Sequence, residues 1–193
     1  DGVVDKKLIK SRSGIDEILD HHAGWNQLDL LLKKYKKVGT ANSPETYFEH
    51  FGFYANPSKS ILVKELKKHR SLDIVDVKKD IARLRQVKQP LEIKAIQEAI
   101  DLTATVLTKA KNKLPKYKSE LQIVADITRD FALKGCGHAY EPIVASGPNS
   151  AIIHHQTYSN TMTQNSVMLF DVGADNGYYG ADISRTYAVG KPS

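Results

Sequence analysis

The sequence predicts an α+β protein in which a partial α/β lobe precedes two helices and a set of antiparallel strands. Three observations carry that expectation. Ile93, Ile96, Ile100, Thr103, Leu107, Ala110 and Leu114 recur at alternating spacings of three and four, the stripe of one long helix. The stretch KSELQIVADITRDFALKG opens on a capping box, Ser119 with Gln122, and stops at Gly135, which bounds a second helix. Beyond Gly135 the pattern turns to short β-like runs separated by turn signals, and helices followed by strands make an α+β unit.

The elements follow in order. GWNQLDLLLKKYKK places Trp25, Leu28, Leu31, Leu32 and Tyr35 at helical spacing. KVGTAN and TYFEHFGF read as short strands, NPSKSILVKELKKH as a helix with Pro57 near its start, and LDIVDV as another strand. Pro90 suits the first turn of the long helix. A domain boundary is therefore expected near residue 86, with residues 1–86 an α/β lobe and 87–193 the α+β part. In the second part AYEPIVASG, AIIHH and VMLFDVG read as strands, GPNS as a turn and YSNTMTQNS as a polar loop, before ADNG, YYGAD and ISRTYAV.

With 193 residues, 41% of them hydrophobic, the chain can build one medium domain or two small cores. Its charged fraction of 26% is that of a globular protein. The net charge of +6 comes from lysines spread over helical segments, not from a clustered basic face, so no nucleic-acid partner is expected. The single Cys136 excludes an intrachain disulfide and fits a reducing, cytoplasmic setting, although a secreted protein without disulfides would fit it too. No signal peptide and no apolar run approaching the roughly 18 residues of a membrane span is visible, so no membrane partner is expected.

The chemistry lies in LFDVGADNGYYGADISRTY, residues 169–187. Asn-Gly between β-like runs is a strong hairpin signal, because both central residues of a type I′ turn need positive φ. With Asn176 and Gly177 at the centre, Asp171 and Asp182 face each other directly, their Cβ atoms about 4.5–5.5 Å apart. A bulge at Gly180 would shift this register. Like charges so placed are destabilising unless neutralised, and a divalent cation between them would do that. Val167 and Leu169 share the face of Asp171 by alternation and point to an inward face. In AIIHH, His154 and His155 would look to opposite faces of a strand, so that one of them enters a site.

These residues carry a resemblance. IVASGPNSAIIHH followed by LFDVGADNGYYGADISRTYAVG resembles the catalytic domain of the aminopeptidase P and prolidase family, the pita-bread metallopeptidases, and LRQVKQPLEIKAIQEA is similar to the helix that opens that domain. The resemblance spans residues 84–190; what precedes it is similar to the end of the family's amino-terminal domain. It implies the first half of a pita-bread catalytic domain. It also implies two divalent cations, manganese first, with cobalt or zinc accepted. Asp171 would be a terminal ligand, Asp182 a bridging ligand, and His154 a catalytic histidine beside the metals. The implied reaction is hydrolysis of an Xaa-Pro bond in a peptide with proline at the second position, and a homodimer is left open. His155 stands where the family usually has tyrosine, and Ser184 where it has threonine. The family's remaining ligands, one histidine and two glutamates, are not in this chain, which is therefore read as part of a longer protein and as inactive by itself. A non-catalytic peptide-binding or scaffold relative is the alternative, and a metal-free, creatinase-like hydrolase ranks below it. Both usually lose the acid pair that is kept here.

Overall fold

The structure is a computed structural model that describes residues 5–41, 57–69, 71–158, 161–162 and 165–191. The chain divides into two compact units, Asp1–Val87 and Lys88–Ser193. No described helix is long and apolar enough to cross a membrane.

In the first unit, helix α1 (Lys6–Ser13) starts at Asp5, whose side chain accepts from the Leu8 N–H, and α2 (His21–Lys34) starts at Asp20, which accepts from Ala23. An acceptor at this position satisfies an N–H left free in the first turn. Strand β1 (Lys37–Thr40) pairs in parallel with β2 (Asp73–Asp76), and α3 (Pro57–Lys67) lies between them in sequence. Among the described residues of this unit, Leu32 of α2 and Leu66 of α3 are the buried apolar ones. The expected strand TYFEHFGF lies outside the described residues. Helix α4 (Lys78–Gln86) is an element the sequence reading did not anticipate. It buries no residue, and Ile81 and Leu84 are exposed on it, so its apolar stripe is too thin to read.

The second unit opens with α5 (Pro90–Lys113). Its first turn is a capping box: the Gln89 side chain accepts from the Glu92 N–H, and Glu92 accepts from the Gln89 N–H at 2.8 Å. The buried face of α5 is Ala99, Thr103, Val106, Leu107 and Ala110. This corrects the expected stripe at its start, since Ile93 is 55% exposed and Ile100 lies outside the core. Small residues are what allow the sheet to approach the helix there. Helix α6 (Glu120–Ala132) begins at the expected cap, Ser119 accepting from Gln122, and the chain leaves it through Gly135 at φ 72°.

Strands β3 (Gly137–His138), β4 (Ile143–Ser146), β5 (Ser166–Val172), β6 (Ala174–Asn176), β7 (Tyr179–Gly180) and β8 (Ile183–Val189) form two small antiparallel sheets, β4-β5-β8 and β3-β6-β7. Gly173 joins β5 to β6. A Cβ there would lie 1.7 Å from the Ala181 carbonyl oxygen, so only glycine permits this backbone approach.

Three strand-level expectations are corrected. AIIHH is not a strand: Gly147–Ala151 is a 3-10 turn, and residues 152–154 continue as turn. The hairpin centre is Gly177-Tyr178, both at positive φ (59° and 74°), with Asn176 paired to Tyr179. Asn176 stays in the strand because its amide is engaged by α5, donating to Glu98 at 2.9 Å and to the Ala95 carbonyl at 3.3 Å. Asp171 therefore faces Ser184, two residues beyond Asp182. Lastly, the face of β5 that enters the core is Met168, Phe170 and Val172, all fully buried against Ile127 and Phe131 of α6 and Val106 of α5. Val167, Leu169 and Asp171 lie on the other face, because both helices pack on one side of the sheet.

Candidate functional site

The hairpin that carries both aspartates is held to α5 by polar bonds as well as by packing. The Thr103 hydroxyl accepts from the Ala174 N–H at 2.9 Å, and Tyr179 donates to Glu92 at 2.6 Å. Together with the Asn176 amide these bonds fasten β6 and β7 to α5.

A shift of two residues keeps parity, so Asp171 and Asp182 remain on one side of the hairpin despite the changed register. Their carboxylates converge on one phenol. The Tyr140 hydroxyl lies 2.5 Å from Asp171 Oδ1 and 3.1 Å from Asp182 Oδ1. Its single proton can be donated to only one of them at a time, and the distances favour Asp171. Burial, and then the hydrogen bond and charge of Asp171, push the Tyr140 phenol well above the usual tyrosine range. Asp171 is half-buried and Asp182 exposed, so the pair sits at the surface of the unit, open on one side.

Oxygen donors of this kind suit a hard or borderline divalent cation. Among the described residues, no group of three or more His, Cys, Asp or Glu could hold a metal ion. The residues present thus fit one side of such a site. His154 forms no such group with the two aspartates. It is exposed, in a turn, at φ 56°. Its neighbour His155 is the buried one, with Nε2 3.1 Å from Glu120 Oε2.

Two residues of this region were not legible in the sequence. Tyr140 precedes β4, thirty-one residues from Asp171, and nothing local marks it as the group between the acids. Glu120 stands in the first turn of α6, where acids ordinarily sit exposed and complement the helix dipole. It is instead fully buried. Burial works to raise its pKa, but hydrogen bonds from the Ser146 N–H and hydroxyl, His155 and Asn149 outweigh that and hold the carboxyl below the usual range.

The second unit is thus an α+β unit with two converging carboxylates on a glycine-kinked hairpin. The model of metallopeptidase family M24 matches residues 94–193, and the chain belongs to that family. Among curated relatives, it is 29% identical over 192 residues to the intermediate cleaving peptidase 55 of Saccharomyces cerevisiae, covering 90% of this chain and 36% of the relative. It is 28% identical over 144 residues to a Xaa-Pro dipeptidase of Pyrococcus horikoshii, covering 74% of this chain and 39% of the relative. The chain thus spans well under half the length of these curated relatives. Among solved structures, aminopeptidase P of Escherichia coli in a low-pH form superposes with a TM-score of 0.75 at 24% identity, covering 95% of this chain and 42% of that one. Icp55 of S. cerevisiae gives 0.71 at 24%, covering 93% and 39%. The fold is accordingly that of aminopeptidase P, the pita-bread fold, in part.

Proposed function

We propose that the protein to which this chain belongs hydrolyses Xaa-Pro peptide bonds, using divalent cations held in part by Asp171 and Asp182. The single observation that carries this reading is the convergence of the two carboxylates within reach of one tyrosine hydroxyl. Two acids kept this close at a surface gain little from each other and much from a shared cation. Manganese is the first candidate, with cobalt or zinc as alternatives, and the substrate class is a peptide with proline at the second position. A cytoplasmic setting and a homodimer belong to the same proposal, as does a domain boundary near residue 86.

The chemistry a pair of bound cations supplies is a more acidic water and a polarised scissile carbonyl. The chain's own residues have three tasks. Asp171 and Asp182 hold the ligating oxygens in place. Tyr140 restrains Asp171 by its hydrogen bond, so that this carboxylate keeps one orientation. His154 lies beside the substrate and moves a proton to the leaving nitrogen. The remaining ligands, one histidine and two glutamates, belong to sequence outside this chain.

The test is to assay the 193-residue chain and the longer protein side by side, with added manganese, on a Xaa-Pro dipeptide and a longer Xaa-Pro peptide. Turnover by the longer protein and none by the chain is expected. Equal turnover would show that the missing ligands are dispensable, and the reading of the aspartates would fall. Binding without turnover by the longer protein would replace hydrolysis with a scaffold role.

A further inference from the structure

Glu120 is a buried group that the proposed chemistry does not use. It is fully inaccessible to solvent, yet it carries a charge-capable carboxylate at the start of α6. Its oxygens are enclosed by the segment that follows β4. Oε1 accepts from the Ser146 N–H at 2.7 Å, from the Ser146 hydroxyl at 2.9 Å and from Asn149 Nδ2 at 3.2 Å. Oε2 lies 3.1 Å from His155 Nε2 and 3.4 Å from Asn149 Nδ2. One side chain thus ties down the first residue, the middle and the end of the segment 146–155.

The far end is fastened independently, by the Tyr158 hydroxyl donating to the Pro142 carbonyl at the other end of β4. Between the anchors, Ile152 and Ile153 are 52% and 85% exposed, and His154 is exposed at φ 56°. A left-handed backbone at a residue other than glycine is unfavourable and persists only where its surroundings impose it. The imposing contact is adjacent. With His155 drawn inward to Glu120, the chain must reverse at His154, which turns that side chain outward.

We propose that Glu120 is a positioning residue for His154. Its carboxylate clamps Ser146, Asn149 and His155, and so fixes the backbone from which the His154 imidazole is presented to the substrate. This deepens the peptidase proposal and rests on the role given there to His154.

The clamp has a chemical signature of its own. His155 Nε2 stands 3.1 Å from both the Glu120 carboxylate and Asn149 Nδ2. One ring nitrogen cannot donate to the first and accept from the second at once. An ionised carboxylate only accepts, so Nε2 must carry the hydrogen. Glu120→Gln removes the charge at constant shape and lets the ring adopt the other tautomer, accepting at Nε2.

The experiment has two arms. In this chain, two-bond nitrogen–proton NMR of the imidazoles should show neutral His155 as the Nε2–H tautomer, and Glu120→Gln should populate Nδ1–H. A predominant Nδ1–H form in the unmodified chain would overturn the clamp without any reference to turnover. In the longer protein with manganese, Glu120→Gln should lower kcat by about 10- to 100-fold, as misplacing a proton-transfer group does, with KM nearly unchanged. Placed on His154→Ala, the same substitution should cost nothing further, because the two act as one unit. Additive losses would mean a merely structural role and would overturn the proposal. So would a silent Glu120→Gln beside a damaging His154→Ala. A silent His154→Ala would reject the role of His154 itself, and the proposal with it. Ser146→Ala, which removes one donor and keeps the backbone one, is the milder variant for the same cycle if Glu120→Gln does not fold; additivity there would overturn the proposal equally.

Discussion

Replacing Thr103 by valine changes almost no volume and should still loosen the hairpin that carries Asp171 and Asp182. Thr103 is fully buried on α5, and its hydroxyl accepts from the Ala174 N–H at 2.9 Å while donating to the Ala99 carbonyl at 2.8 Å. The second bond is expendable, because a helix carbonyl keeps its backbone partner. The first is not: valine leaves Ala174 with a buried N–H and no acceptor, at a cost of about 1–3 kcal/mol. Serine keeps the acceptor and loses only a methyl, about 0.5–1.5 kcal/mol in a packed core. Global stability alone separates the two poorly, so the assay is amide hydrogen exchange at Ala174 in this chain. Valine should speed exchange there by roughly 5- to 150-fold, the equivalent of 1–3 kcal/mol. Serine should leave Ala174 protected relative to its neighbours. Retained protection in the valine variant, or equal loss in both, would refute the reasoning that this bond fastens the hairpin to α5.

Gly173→Ala should destabilise the second unit by on the order of 3 kcal/mol or more, since its Cβ would fall 1.7 Å from the Ala181 carbonyl oxygen; urea unfolding followed by circular dichroism measures this. Phe170→Ala, in the fully buried face of β5, should cost about 3–5 kcal/mol in the same assay, whereas Val167→Ala on the opposite face should cost far less. Alkaline pH should destabilise the chain through its tyrosines. Burial, then Asp126, raises Tyr117 above the usual range, and burial, then Glu141, raises Tyr158 to about 12. The unfolded chain loses these protons near pH 10 and the folded chain only later. This stability is therefore complete below about pH 10 and is lost as pH rises toward 12. An ultraviolet titration in which every tyrosine ionises near pH 10 in the folded chain would contradict it.

Helices α5 and α6 were legible because their signals are local. Pro90, the Ser119 cap and the glycine stop at Gly135 fix α5 and α6 from a few adjacent residues each. The strands VMLFDVG and ISRTYAV were legible for the same reason, as were the aspartates as a pair on one side of a hairpin. Register was not, because Asn176 is recruited by Ala95 and Glu98, some eighty residues away, and no turn preference contains that contact. The core face of β5 was misread because alternation gives two faces and does not say which one the helices cover. AIIHH looked like a strand from its two isoleucines; the buried Glu120 draws His155 inward instead and leaves both isoleucines outside. Tyr140 and Glu120 act on partners 31 and 26 residues distant or more, beyond the reach of any local pattern.

The most direct test of the paired aspartates as cation ligands is a manganese titration of this chain observed by amide NMR. Paramagnetic broadening at low manganese should appear first at Tyr140, Asp171, Asp182 and their neighbours on β5 and β8, and should vanish from them in the variant carrying Asp171→Asn and Asp182→Asn. Broadening that begins elsewhere, or that persists at these amides in the double variant, would contradict the metal-site reading and leave the acid pair without a function.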